Sequence, residues 1–150
     1  MKTSMKVLSY IALFVIVSFI IITNKTKKTN YKPHKPIQSN ELQESINRGN
    51  DIYSDFCMSC HLPNGKGVKH IYPPLADSDY LKNNRDASIK GIKYGLKGEI
   101  IVNGDTYNNY MAPMGLGDDE IADVMNYINH SWGNKNGKIV TEKEVGKIKK

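Results

Sequence analysis

The chain has 150 residues, enough for one domain with a short extension, and a formal net charge of +6 at pH 7. The charge is uneven: residues 1–38 contain seven lysines and no acid, residues 39–132 carry a net charge of −5, and residues 133–150 carry +4. This distribution excludes a uniform basic face of the kind that binds nucleic acid, so no nucleic-acid partner is predicted.

The N-terminal segment is predicted to be a transmembrane anchor or a signal peptide over residues 7–23, after a cytoplasmic N-terminus of residues 1–6. Residues 7–22 are apolar except for two serines and one tyrosine, a length between a signal-peptide core and a full membrane span. No small-x-small cleavage site follows, which favours an uncleaved anchor. Residues 24–39 are polar and contain two prolines, which predicts a flexible linker before a domain over residues 40–150 with a basic tail.

The first helix of that domain is predicted over residues 41–56. Asn40 with Gln43 three residues later is a helix-start pattern, and apolar residues recur through the segment. Gly49 lies inside this helix, where glycine costs about 1 kcal/mol. Either a close packing contact with another element or simple tolerance on an exposed face would account for Gly49.

The run Cys57-Met58-Ser59-Cys60-His61 is the most informative motif, and its cysteines are the only two in the chain. A C-x-x-C-H run is the attachment site of a c-type haem. The two thiols can each form a thioether to one porphyrin vinyl group, and the histidine that follows can coordinate the iron. The motif predicts one haem c, with its iron, bound covalently through Cys57 and Cys60 and ligated by His61.

A redox-active dithiol and a structural zinc site both fit this motif less well. A thioredoxin-like C-x-x-C site needs a strand-to-helix setting and gives His61 no role. A structural zinc site needs a second pair of ligands at similar spacing. The remaining histidines, His34, His70 and His130, are scattered and stand beside no cysteine.

Beyond the motif, the sequence predicts short elements joined by turns. A Gly-rich turn and the extended segment 72–75 come first. A short helix is predicted over residues 86–94, followed by a hairpin that turns at Asn103-Gly104. An apolar stripe predicts a helix from Asp118 to about Trp132, and the spacing of Thr141 and Glu144 predicts a capping box for a last short helix.

The iron needs a sixth ligand or an open position. A thioether sulfur favours ferrous iron and raises the reduction potential, which suits an electron carrier. Met111 and Met114, in one loop rich in Asn, Pro and Gly, are the candidates. Histidine ligation by His70 or His130 is an alternative, although a solvated histidine is the simpler interpretation of His130.

From about residue 45 to 148 the chain resembles the class I c-type cytochromes. The segments that carry the resemblance are RGNDIYSDFCMSCHLPNGKGV, YPPLADSDYL, YGLKGEIIVNGDTYNNYMAPMG and DDEIADVMNYINHSWGN. The resemblance implies an all-α, class I cytochrome c-like fold around one covalently attached haem. The small β-hairpin and the N-terminal membrane segment, both predicted above from the residues themselves, would be additions to that fold. It also implies that the helix carrying Gly49 and Tyr53 crosses the last long helix near Tyr127.

The resemblance further implies roles for single residues. The Pro73 carbonyl would accept a hydrogen bond from the second ring nitrogen of His61, and Leu75 would pack on the haem. Met111 stands at the position of the family's ligand methionine. The sequence departs from the family where Ala112, not proline, follows that methionine, and where Gly117, not serine, precedes the last long helix.

The predicted function is a membrane-tethered one-electron carrier with His61 and Met111 as axial ligands, not an enzyme. It would shuttle electrons by transient docking between respiratory redox proteins, such as a membrane complex or a terminal oxidase or reductase. The predicted location is a bacterial inner membrane, with one span and the haem domain facing the periplasm, although the lysines after the span favour the opposite orientation. The alternative is a peroxidase-like haem enzyme or a gas sensor, both of which need an open or labile sixth position.

Overall fold

The computed structural model of the chain describes residues 37–150. Within this range lie six helices and one two-stranded sheet. In chain order these are α1 (Ile37–Phe56), α2 (Met58–His61), α3 (Asp79–Asn83), α4 (Arg85–Tyr94), β1 (Ile100–Val102), β2 (Asp105–Tyr107), α5 (Asp118–His130) and α6 (Glu142–Lys147). A mostly helical domain with one small hairpin is therefore present, as the sequence predicts.

The principal contact of the fold is the crossing of α1 and α5, and it occurs at Gly49. A Cβ atom added to Gly49 would overlap the backbone carbonyl of Asp123 and lie 2.8 Å from Tyr127 Cβ. The fully buried ring of Tyr53, one turn further along α1, lies 5.3 Å from the Tyr127 ring and 5.0 Å from the Trp132 ring, between centroids. The predicted crossing is confirmed, and close packing explains Gly49.

A polar network fixes the register of this crossing, and it is buried at Ser45, Asp123 and Asn126 and exposed at Arg48. The carboxylate of Asp123 on α5 accepts hydrogen bonds from Ser45 Oγ at 2.6 Å and from Arg48 Nε at 2.5 Å and Nη2 at 2.8 Å. The Asn126 side chain donates to Ser45 Oγ at 2.8 Å and exchanges two hydrogen bonds with the backbone of Val140. Buried polar groups are stable only when paired, so this network permits one relative position of α1 and α5.

The described helices differ from the predicted ones at the start of α1 and at α3, and agree with them at the start of α6. The first described helix begins at Ile37, four residues before residue 41, the start that Asn40 and Gln43 predict. The helix α3 was not predicted, and its cap is Ser78 Oγ, which accepts from the Leu81 N–H at 3.3 Å. At α6, Thr141 Oγ1 caps the Glu144 N–H as predicted.

Two further predictions are confirmed in this part of the chain. The strands β1 and β2 pair antiparallel around Asn103 and Gly104, both with positive φ, as the Asn-Gly pair predicts. The helix α5 begins after Gly117, whose N–H donates to the Glu120 carboxylate at 2.8 Å. Glu120 is the third residue of α5, and this bond stabilises the start of the helix, where Gly117 offers no side-chain cap.

Within residues 37–150, no helix combines the length and the apolar character needed to cross a membrane. The longest, α1, carries five charged side chains along its 20 residues. On this finding, the prediction of a single-pass inner-membrane protein with a periplasmic haem domain is wrong. Residues 1–6 and 7–23, to which that prediction assigned the N-terminus and the span, lie outside the described residues, as does most of the predicted linker 24–39.

Candidate functional site

The Cys57–His61 run forms a tight continuation of α1. The Cys57 N–H donates to the Tyr53 carbonyl at 2.9 Å, and the His61 N–H donates to the Cys57 carbonyl at 2.9 Å. The Tyr53 hydroxyl then donates to the Leu62 carbonyl at 2.7 Å, just after α2 ends. This helical geometry places the side chains of Cys57, Cys60 and His61 in the wall of the same cavity.

The ring of His61 is held by one hydrogen bond and by burial. Its Nδ1–H donates to the Pro73 carbonyl at 2.9 Å, which is the contact that the resemblance implies. Burial lowers the pKa of His61, although the bond to Pro73 opposes the shift. A neutral imidazole with its Nδ1 hydrogen-bonded has Nε2 available, which is the form that binds a metal.

The loop that presents the Pro73 carbonyl depends on Gly67. Gly67 has φ of +59°, and a Cβ atom there would lie 2.7 Å from the Pro73 carbonyl oxygen. Its N–H donates to the His61 carbonyl at 3.0 Å, and the neighbouring Val68 N–H donates to the Tyr72 carbonyl at 2.8 Å. The Gly-rich turn after the motif thus folds residue 73 back onto the histidine ring.

The cysteines occupy different environments. Cys57 is buried and Cys60 is half-buried, and neither forms a disulfide. Burial, with a smaller contribution from Cys60, raises the pKa of the Cys57 thiol to about 11. This direction of the pKa shift is opposite to that of redox-active C-x-x-C sites, which lower the pKa of one cysteine.

The cavity has a volume of about 360 Å³, within the range of cofactor pockets. Every predicted site residue lies in its wall: Cys57, Cys60, His61, Pro73, Leu75 and Met111, together with the alternative Met114. The described lining contains no Asp, Glu, Lys or Arg, and His61 is its one histidine. An apolar crevice with a C-x-x-C-H run at its wall fits a haem in both shape and donor set.

The two candidate methionines are held differently. Met111 pairs with Leu96 in an isolated antiparallel bridge, through hydrogen bonds of 2.8 and 2.9 Å that join their backbones. Gly95, with φ of +80°, allows this approach, because a Cβ atom there would lie 2.7 Å from the Met111 carbonyl oxygen. No backbone hydrogen bond of this kind holds Met114 among the described residues.

The alternative histidines lie elsewhere. Neither His70 nor His130 lines the cavity, and both are exposed. The His130 ring contacts the Asn126 carbonyl at 2.8 Å through Nδ1, one turn back on α5. His34 lies outside the described residues.

Two contacts to the loop that orients His61 were not predicted. The Asn109 side chain donates to the Ile71 carbonyl at 2.9 Å, and Lys69 forms an ion pair with Asp105 at 3.1 Å. The first bond ties the loop that carries Met111 to the loop that orients His61, and the ion pair ties β2 to that same loop. No local sequence pattern predicts such bonds, because the partners in each pair lie more than 30 residues apart in the chain.

Comparisons with known proteins agree with this geometry. The family model described as "Cytochrome c" matches residues 46–132. Cytochrome c-552 of Thermus thermophilus is 38% identical over 110 residues, which cover 67% of this chain and 83% of that protein. The cytochrome c subunit of the quinone alcohol dehydrogenase of Gluconobacter oxydans is 28% identical over 107 residues, covering 69% of this chain and 22% of that subunit. The gluconate 2-dehydrogenase cytochrome c subunit of Pantoea cypripedii is 28% identical over 123 residues, which cover 75% of this chain and 28% of that subunit.

Proposed function

Because the chain belongs to the cytochrome c family, we propose that it carries single electrons on one haem c held by His61 and Met111. Family membership confirms the predicted resemblance, the covalently attached haem c with its iron, and the role in electron transfer rather than enzyme catalysis. The observation that carries the finer proposal is the single apolar cavity that collects the cysteines, His61 and Met111. The bound haem supplies one-electron chemistry through ferrous and ferric iron.

In this proposal the motif residues hold the cofactor. Cys57 and Cys60 form the two thioethers, and His61 coordinates the iron through Nε2 while its Nδ1–H stays bonded to Pro73. That bond fixes the tautomer and the ring orientation, and it raises the basicity of the ligand. Leu75 contributes to the apolar wall and excludes water, which keeps the local dielectric low.

Met111 is proposed as the sixth ligand because its backbone is anchored. Its two hydrogen bonds to Leu96, together with the Asn109 bond to Ile71, limit the movement of the loop. A thioether on an anchored loop favours the ferrous state and closes the sixth position. Met114 lines the same cavity and is the alternative ligand.

The lining of the cavity supports a carrier over a haem enzyme. A peroxidase-like site needs an acid-base group on the open side of the iron, and a gas sensor needs a vacant or labile sixth position. The described lining offers the loop methionines Met111 and Met114 and the α5 residue Met125, and it contains no carboxylate and no histidine besides His61.

Docking to a redox protein is supported by the relatives and by the cavity mouth. Several relatives are cytochrome c subunits of dehydrogenases. Three large apolar side chains of the cavity lining are exposed: Phe56 at 44%, Ile71 at 46% and Tyr110 at 67%. Aromatic and aliphatic side chains around a cofactor edge suit a small, transient interface, so we propose that electrons pass between this edge and a partner such as a dehydrogenase or a terminal oxidase or reductase.

The ligand assignment is tested by the variants Met111→Ala and Met114→Ala. Met111→Ala should keep the covalent haem, lose the sulfur-to-iron charge-transfer band of the oxidised protein, bind carbon monoxide when reduced and show a lower reduction potential. Met114→Ala is the matched control, since it removes a methionine from the same loop and cavity, and it should keep the band. If Met114→Ala loses the band and Met111→Ala keeps it, the assignment to Met111 is wrong.

A further inference from the structure

A second cavity, of about 420 Å³, lies between α3, the start of α4 and the loop of residues 135–139. We call it the basic cleft. Its polar wall is formed by four cationic side chains, two amides and one carboxylate, which belong to Lys82, Arg85, Asn129, Lys135, Asn136, Lys138 and Glu144. The lining therefore carries a formal excess of positive charge, whereas residues 39–132 as a whole carry −5.

Arg85 shapes the basic cleft and is fully engaged in doing so. It forms a bidentate pair with Glu144, at 2.6 Å from Nε and 2.9 Å from Nη2. It also donates to the backbone carbonyls of Lys138 at 3.1 Å and Ile139 at 3.2 Å. Arg85 therefore neutralises Glu144 and holds the loop in place, so the charge of the lysines is left uncompensated.

The lysine ammonium groups are free to bind a ligand. Lys82, Lys135 and Lys138 are exposed, and none of them forms an ion pair with any residue in the range 37–150. Three such groups at one cleft repel one another, and an anion among them would relieve this repulsion.

The basic cleft also contains a buried donor without an acceptor. Asn136 Nδ2 is the one buried side-chain nitrogen or oxygen in the described part of the chain that has no hydrogen-bond partner. The loop position is fixed, because the Asn136 N–H donates to the Asn129 carbonyl at 3.1 Å. A buried donor left unpaired is unfavourable, and because the Asn136 side chain is only half-buried, a turn of it would bring Nδ2 to an acceptor in the cleft.

We propose that the basic cleft binds a small oxyanion, a phosphate or a carboxylate. After a turn of its side chain, Asn136 Nδ2 would donate to one oxygen, and Lys82, Lys135 and Lys138 would surround the charge. Leu81 and Met125 line both this cleft and the haem cavity, so the bound anion lies one layer of side chains from the cofactor. A negative charge at that place stabilises ferric over ferrous iron, and binding therefore lowers the reduction potential.

The test uses the full haem-loaded chain and two anion probes, inorganic phosphate and acetate. Each is titrated at constant ionic strength against chloride, with calorimetry for affinity and NMR of the reduced protein for the Asn136 side-chain amide. We expect saturable binding of phosphate, a shift of that amide signal, and a reduction potential that falls along the same binding curve. Binding of acetate with similar affinity would indicate that partner carboxylates occupy the cleft, and selective phosphate binding would indicate a free anion.

Three variants locate the site. Asn136→Leu removes the donor, Lys138→Gln removes one charge, and each should weaken phosphate binding by about tenfold. Lys143→Gln removes a charge from the same basic C-terminal segment outside the cleft, and it should leave the affinity unchanged. The absence of saturable phosphate binding to the unmodified chain would overturn the proposal, as would equal weakening by Lys143→Gln. These readouts do not depend on which methionine ligates the iron.

Discussion

Replacing Gly49 with alanine tests the packing on which the fold depends. The added Cβ atom would lie 2.6 Å from the carbonyl carbon of Asp123 and 2.8 Å from Tyr127 Cβ. These are backbone and Cβ atoms, which cannot turn aside as the end of a long side chain can. The variant can accept the methyl group only if α1 and α5 move apart.

The expected loss of stability is the sum of two unfavourable effects and one favourable effect. Overpacking of a close contact destabilises a protein by about 1–3 kcal/mol. Alanine in place of glycine inside a helix stabilises the helix by about 1 kcal/mol. Separation of the helices also lengthens the bonds from Ser45 and Arg48 to Asp123, each of which contributes about 1 kcal/mol. We therefore expect Gly49→Ala to lower the free energy of unfolding by about 2 kcal/mol.

The assay is denaturant unfolding of the haem-loaded protein, followed by circular dichroism. Gly146→Ala is the control, because Gly146 also lies in a helix and its added Cβ would meet only the carboxylate end of Asp118, at 3.3 Å. That variant should range from unchanged to about 1 kcal/mol more stable. If Gly49→Ala is as stable as the unmodified protein, the reasoning about the crossing is refuted.

Two further predictions concern attachment and pH. The double replacement Cys57→Ala and Cys60→Ala should abolish the haem that stays with the polypeptide on a denaturing gel, because thioethers survive denaturation and ligand bonds do not; haem lost from the unmodified chain under the same conditions would contradict covalent attachment. The bonds from Arg85 lower the pKa of Glu144, so this pair stabilises the fold above the pKa of an unfolded glutamate, roughly 4.3, and the stabilisation is lost as the pH falls through the lowered folded value. In urea unfolding, Glu144→Gln should be about 1 kcal/mol less stable than the unmodified protein at pH 7 and equally stable in acid. The control Glu142→Gln changes an exposed glutamate and should show no such difference. A loss of stability in Glu144→Gln that is the same in acid as at pH 7 would contradict the role of the Arg85 pair.

Local signals in the sequence predicted the features that depend on a few neighbouring residues. The spacing of Cys57, Cys60 and His61 predicts the haem motif, and the Asn-Gly pair predicts the hairpin turn, because both are set by chain geometry within five residues. The Thr141 cap was predicted for the same reason. Its reciprocal half was not correct: the Glu144 carboxylate pairs with Arg85, at a distance of 59 residues in the chain.

The long-range polar contacts could not be predicted from the sequence. The bonds of Ser45 and Arg48 to Asp123 join residues more than 70 positions apart. Serine, arginine and aspartate also occur on solvated helix faces, so their presence in the sequence does not indicate that they pair. The α3 helix was missed because it spans only five residues, too few for an apolar period to emerge. The apolar lining of the haem cavity comes from several separate segments, and only Leu75 and the methionines were singled out.

The central claim, a carrier whose iron has both axial positions filled, is tested most directly by one measurement. Optical spectra of the reduced, full-length, haem-loaded protein are recorded at neutral pH with and without carbon monoxide. We expect a six-coordinate low-spin haem whose spectrum carbon monoxide leaves unchanged, because the thioether occupies the sixth position. Rapid and complete formation of a carbon monoxide complex by the unmodified protein would contradict the account and would identify a haem with an open site.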